Sequence, residues 1–192
     1  MSAALGKLDP ERAALVVIDV QEAFRKALPE GFDQLARAVA TLVRGAEAVG
    51  IPIHVTEQYP KGLGATVPEV AERLPDGVAP IEKVCFSAAE ADGFDLGGRE
   101  QALVCGLETH VCVNQTVLDL LGSGVEVHVA EDAVGSRFPQ NNEVGLRKME
   151  RAGAVLTSVE TALFELLGAA GTDEFKRVQT LILEYAPNPE AT

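Results

Sequence analysis

The stretch Gly106-Leu-Glu-Thr-His-Val-Cys112-Val-Asn-Gln-Thr116 concentrates the reactive chemistry of this sequence. An apolar run at 102–105 leads into a glycine and a polar turn, and an amphipathic pattern begins at Val111. The order is that of a strand, a tight turn and a helix, with Cys112 in the first helical turn. Unpaired backbone N–H groups and the positive end of the helix dipole act on a cysteine there, and both favour thiolate over thiol. The competing reading is a small buried hydrophobe. A thiol that attacks a carbonyl needs a base for its proton, a positive charge nearby, and donors for the developing oxyanion. Asp19, Lys83 and the backbone around Cys112 are candidates for these tasks in that order. None of the three histidines is an obvious base. His54 and His128 lie within strand patterns and read as core or edge residues, and His110 points to a different side of a helix from Cys112.

These residues need elements to position them. The run at 13–19 is continuously apolar and ends in Asp19, the pattern of a strand buried on both faces. Helical spacing from Leu35 through Val39, Leu42, Val43 and Ala46 predicts a helix closed by Gly50 and Pro52, and 51–56 reads as the next strand. Residues 57–79 are rich in glycine and proline and predict a long loop with one helical turn near 67–74, and 81–86 is a short extended segment carrying Lys83. Beyond Cys112, Val113, Val117, Leu120 and Leu121 share a helical face, followed by a strand at 125–130, a helix at 141–152, a strand at 154–157 and helices at 159–167 and 172–185. A polar tail from Pro187 is expected to fray. Alternating strands and helices imply a parallel sheet covered on both faces, so the expected fold class is α/β, a three-layer α/β/α sandwich. Ligands in such sheets bind beyond the carboxyl ends of the strands, where Asp19 and Cys112 both fall.

Composition excludes several function classes. The length suits one domain spanning 1–192, with no internal repeat or linker. Sixteen basic residues stand against 29 acidic ones, a formal charge of -13, so nucleic acid and anionic membranes are not expected partners. Cys85, Cys105 and Cys112 form no disulfide framework, and residues 1–11 carry no apolar core of signal-peptide length. A reducing, cytoplasmic location is expected.

Val17-Ile-Asp19-Val-Gln21-Glu-Ala-Phe24, the lysine in Glu82-Lys83-Val-Cys-Phe86-Ser87, and the Gly106 to Val113 stretch resemble three signature segments in order and spacing. They are those of the isochorismatase-like cysteine hydrolases, a family that includes nicotinamidases, N-carbamoylsarcosine amidases and isochorismatases. The similarity runs over about residues 13–167. The resemblance implies a six-stranded parallel sheet and a catalytic triad, carried onto Asp19, Lys83 and Cys112. It also implies a non-proline cis peptide at Leu107–Glu108, aiming the N–H groups of Glu108 and Cys112 at one oxyanion. Gln21, Phe24, Tyr59 and Phe86 are expected around the substrate pocket, the first two as wall or turn support. Asp132, Ser136 and Arg137 follow another strand end and are candidates to line or brace the site.

Departures from particular branches narrow the reading. The nicotinamidase branch binds a metal through an aspartate and two histidines after the second strand, where this chain has Thr56-Glu57-Gln58-Tyr59, so neither a metal nor another cofactor is expected. The branch that cleaves the vinyl ether of isochorismate lacks the nucleophilic cysteine. Val55-Thr-Glu-Gln-Tyr-Pro-Lys-Gly-Leu-Gly64 and Glu108-Thr-His110 most resemble the isochorismatase-domain-containing group. The expected activity is therefore metal-independent hydrolysis of a small amide or related carbonyl compound through a thioester on Cys112. Two other readings stand beside it: a scaffold or interaction protein with little catalysis, and a redox sensor in which Cys85 or Cys105 resolves Cys112. Apolar helical faces near 164–167 and 181–185 suggest a homo-oligomer.

Overall fold

The computed structural model describes residues 6–28 and 31–185; the tail expected to fray from Pro187 lies outside the described residues. In chain order the first half comprises β1 (Ala13–Ile18), α1 (Glu22–Ala27), α2 (Phe32–Val49), β2 (Ile53–Gln58), α3 (Pro60–Leu63), α4 (Pro68–Ala71) and β3 (Ile81–Lys83). The second half comprises β4 (Gln101–Leu107), α5 (Asn114–Gly122), β5 (Glu126–Gly135), α6 (Pro139–Ala152), β6 (Val155–Thr157), α7 (Val159–Leu167) and α8 (Asp173–Tyr185). The strands form one six-stranded sheet, ordered β3-β2-β1-β4-β5-β6, with every pairing parallel. Helices cover both faces, so the molecule is a three-layer α/β/α sandwich.

The apolar run of β1 is continuous because each face of the strand meets a different core. Leu15 and Val17 pack with α2, α7 and α8, whereas Ala14, Val16 and Ile18 pack with α5 and α6. The same alternation places Cys105 in the first core and Cys112 in the second, with the sheet between them. This separation removes Cys105 as the resolving partner of Cys112.

α2 buries the predicted face through Leu35, Val39, Leu42, Val43 and Ala46, and it starts earlier than the pattern suggests, at Phe32. It ends at Gly50, whose left-handed φ of 76° turns its N–H back onto the carbonyls of Ala46 and Glu47. The loop predicted at 57–79 is shorter than expected, since Glu57 and Gln58 extend β2 and two four-residue helices, α3 and α4, occupy part of the rest. β5 runs on to Gly135, beyond the predicted end at 130, and α1 has no counterpart in the sequence reading. Both are short on helical or alternating periodicity, the signal on which that reading depends.

Successive strands step outward from β1 to β3, and the chain then returns to lay β4 against the other edge of β1. The reversal opens a crevice between the carboxyl ends of β1 and β4, the usual ligand position in doubly wound sheets. Gly106, at this crevice, has φ of 116°, and a Cβ there would collide with the Ile18 carbonyl oxygen. Only glycine allows the two strand ends to come so close.

Candidate active site

Asp19 is the first residue beyond β1, fully buried, with a left-handed φ of 51°. That conformation is uncommon outside glycine, but aspartate tolerates it better than most residues. Its Oδ1 accepts from the Thr56 hydroxyl at 2.7 Å and its Oδ2 from Lys83 Nζ at 2.7 Å. Both side chains of this ion pair have 0% exposure. Buried pairs persist where hydrogen bonds satisfy the remaining valences, and that is the case here. The ammonium also donates to Gln58 Oε1 at 2.7 Å and to the Phe86 carbonyl at 3.0 Å, with the Cys85 carbonyl at 3.4 Å. An ammonium has three N–H bonds, and these acceptors use all of them. Lys83 is thus built to hold a charge beside the thiol, with no donor to spare.

Cys112 lies on a wide π-helical turn, Thr109–Val113, that feeds into α5. The thiol lies 4.0 Å from Gln58 Oε1, which also accepts from Lys83, and Asp19 and Lys83 are the charged groups that act on it. Burial first, and then the Asp19 carboxylate, push the thiol up to about 12 against the opposing pull of the Lys83 ammonium. This corrects the expectation of a thiolate favoured by a helix start: desolvation of the sulfur outweighs the dipole, so the resting group is a neutral thiol.

The turn is tied down on all sides. The Leu107–Glu108 peptide is cis. The buried Glu108 carboxylate accepts through Oε1 from both the backbone N–H and Nε of Arg137, each at 2.9 Å. His110 faces away from the thiol, toward Ser136 Oγ at 3.0 Å and Asn141 at 3.3 Å. Thr116 donates to the Cys112 carbonyl at 2.7 Å and accepts from the Ala88 N–H at 2.8 Å. α6 presses its backbone against the turn at Gly145, where a Cβ would meet Thr109 at 3.0 Å.

The other predicted residues divide by position. Gln21 does not face the pocket: it is fully buried, its Oε1 accepts from the Gln58 N–H, and its Nε2 donates to the Gln58 and Gly64 carbonyls. It braces the end of β2 against the following loop. Phe24 packs, partly buried, against the core under α1. Tyr59, Lys61, Lys83, Val84 and Cys85 line an open cavity of about 470 Å³ on the Lys83 side of the site. Phe86 is half exposed and contributes its carbonyl to Lys83. Asp132 is not part of the site; it accepts from the Val159 N–H and the Tyr185 hydroxyl, capping α7 and holding α8. Ser136 and Arg137 brace the nucleophile turn from the end of β5.

Gln58 and Gly145 are the residues that sequence reasoning missed. The signal for Gln58 was present, because a polar residue two positions after Thr56 shares its face at a strand's carboxyl end. Gln58 also bears on a metal. Its carboxamide oxygen is committed to Lys83, and the neighbouring Glu57 carboxylate accepts from the Thr66 N–H and hydroxyl. Among the described residues no group of three His, Cys, Asp or Glu is placed to hold an ion. The side chains at the nicotinamidase metal position do not fit a resident zinc.

An all-parallel six-stranded sheet with helices on both faces is the α/β sandwich of isochorismatase-like proteins. The chain belongs to the isochorismatase family: the isochorismatase domain matches residues 13–161. It is 39% identical over 189 residues to mouse isochorismatase domain-containing protein 2A, covering 97% of this chain and 90% of that protein. A structure described as MAR1 ribonuclease from Caenorhabditis elegans superposes with a TM-score of 0.90 at 38% identity, covering 97% of each chain. The YcaC protein of Escherichia coli, described as an octameric hydrolase of unknown specificity, superposes with a TM-score of 0.82 at 26% identity, covering 94% of this chain and 91% of that one. Family and fold together support a hydrolase.

Proposed function

We propose that the protein is a metal-independent cysteine hydrolase that cleaves a small amide or related carbonyl compound through a thioester on Cys112. The observation that carries this reading is the buried Asp19–Lys83 pair, Oδ2 to Nζ 2.7 Å, whose charges act on the Cys112 thiol and whose lysine shares the acceptor Gln58 Oε1 with it. Because the thiol is neutral at rest, its attack is coupled to proton transfer. The Sγ–H proton passes to Asp19 as sulfur bonds to the substrate carbonyl carbon, and the N–H groups of Glu108 and Cys112 hold the oxyanion. Collapse breaks the C–N bond, and the leaving amine takes the proton from Asp19. Asp19 then deprotonates a water that attacks the thioester, and the proton returns to sulfur as the acid departs. Throughout, Lys83 keeps its acceptors and balances whichever group carries the negative charge.

The test is intact-mass trapping on Cys112 with a panel of small amides and esters, followed by turnover of any acylating compound. Cys112→Ala is expected to lose both the mass adduct and turnover. Turnover that survives in this variant would rule out the thioester route.

The description of the nematode relative as a ribonuclease suggests a different substrate class. A charge of -13 repels a phosphate backbone, and the cation in the site, Lys83, is buried and fully engaged. We therefore favour a small neutral or weakly charged substrate. Cleavage of RNA at low ionic strength that disappears in Cys112→Ala would reverse that preference. A homo-oligomer and a cytoplasmic location complete the proposal, supported by the octameric YcaC relative and by three free cysteines among the described residues.

A further inference from the structure

We infer that Gln58 is a positioning residue of the site: its carboxamide oxygen fixes the Lys83 ammonium beside the Cys112 thiol, and its neutrality leaves Asp19 as the single anion facing that thiol. The inference rests on the reading of Cys112 as the nucleophile.

The orientation of the carboxamide is determined by its neighbours. Oε1 faces the ammonium, which can only donate, and Nε2 faces the Val84 carbonyl at 2.9 Å, which can only accept. A flipped amide would place donor against donor and acceptor against acceptor. The residue itself is equally constrained, since Gln21 accepts from its N–H at 2.9 Å and donates to its carbonyl at 3.1 Å. Period-two alternation along β2 sets Gln58 on the face of Thr56, which binds the other oxygen of Asp19. Thr56, Gln58, Asp19 and Lys83 therefore form one buried polar unit.

Charge explains why a neutral acceptor stands there. Asp19, from the end of β1, and Lys83, from the end of β3, are the charged groups that act on the thiol. Of the other ionisable groups nearby, Glu108 is turned to Arg137, Glu57 to Thr66, and His110 to Ser136 and Asn141, while Lys61, Glu82, Cys85, Glu90 and Asp92 line the cavity beside Lys83 and are not among the groups that act on the thiol. A carboxylate in place of the Gln58 amide would lie against Nζ and near Sγ. Two anions would then share one cation, and the thiolate would lose its counter-charge. An apolar side chain would have the opposite effect, because one N–H of Lys83 would be released to turn toward the sulfur.

The experiment measures alkylation of Cys112 by iodoacetamide as a function of pH, read by peptide mass, in wild type, Gln58→Glu and Gln58→Met. Circular dichroism and thermal midpoints establish that each variant is folded. Gln58→Glu is expected to move the alkylation midpoint to higher pH; below the midpoint, a thiol one pH unit weaker as an acid reacts roughly tenfold more slowly. Gln58→Met is expected to move it to lower pH. Either folded variant alone is a test, and an unchanged profile with only a lower thermal midpoint would reduce Gln58 to a packing residue and overturn the inference. Midpoints that move in the same direction in both variants would also overturn it. The assay needs no substrate, so its failure is separate from failure of the Cys112→Ala turnover test.

Discussion

At the scale of single residues the site poses an electrostatic problem. The nucleophile is buried, and desolvation together with Asp19 holds it as a thiol, while Lys83 alone favours the thiolate. The acid that disfavours the thiolate at rest is the same group proposed to remove its proton during attack. These two roles separate in mutants. Asp19→Asn removes the anion, so alkylation of Cys112 at about pH 9 is expected to accelerate, by roughly tenfold if the thiol becomes one pH unit more acidic, while hydrolysis is lost for want of a base. Lys83→Met is expected to slow alkylation and abolish hydrolysis together. Rates from peptide mass, set against turnover of a trapped substrate, check both; turnover retained in Asp19→Asn would remove Asp19 as the base.

At the scale of elements, the close approaches matter most. Gly106 lets the ends of β1 and β4 meet, and a methyl group driven into the Ile18 backbone has no soft neighbour to displace. Gly106→Ala is expected to cost on the order of 3 kcal/mol or more in unfolding free energy, by denaturant titration. Gly145 is less extreme, with neighbours at 3.0–3.1 Å, so Gly145→Ala should shift the nucleophile turn and reduce turnover more than it reduces stability. The segment over β2 carries a pH dependence of its own. His54 packs against Phe94 with ring centroids 5.7 Å apart, and burial lowers it from the ordinary 6.5, with Asp95 opposing. Below 6.5 the unfolded chain takes a proton that the folded chain resists, so stability declines as pH falls through that value toward the folded one. Above it the group contributes no pH dependence. Unfolding midpoints across this window are expected to fall in wild type and to flatten in His54→Phe.

At the scale of the whole molecule, charge and association dominate. A formal charge of -13 on 192 residues repels itself across the surface. Screening shortens to about 10 Å at 0.1 M salt, so the thermal midpoint is expected to rise between low and moderate sodium chloride. Large apolar side chains are exposed among the described residues at Tyr59, Val84 and Phe86 near the site, at Phe138 and Val144 at the start of and along α6, and at Phe164 and Leu183 on α7 and α8. Burying such side chains against a second copy would favour association. Light scattering is expected to report a multiple of the 20.2 kDa chain mass, and a strictly monomeric species across concentrations would end the oligomer proposal. Gly45 sets the limit on repacking within the first core, since a Cβ there would overlap the Leu163 side chain.

Much of the architecture was legible in the order of residues. The alternation of strand and helix patterns, the continuous apolar run of β1 and the stop at Gly50 are local signals, and each produced the element it predicts. Asp19 and Cys112 were nameable because each follows an apolar run that reads as a strand, whereas Lys83 joined them through the resemblance of its segment to the family's, its place at the end of β3 being visible only in the fold. What lay beyond reach depended on distances across the sheet. That Gln58 stands between Lys83 and Cys112, that Gln21 braces a backbone instead of walling a pocket, and that Asp132 caps α7 all follow from strand order and register. The state of the thiol was decided there too. A turn at the head of a helix is a local feature that favours a thiolate, whereas burial and the flanking carboxylate that hold the sulfur protonated exist only once six strands have brought distant segments together.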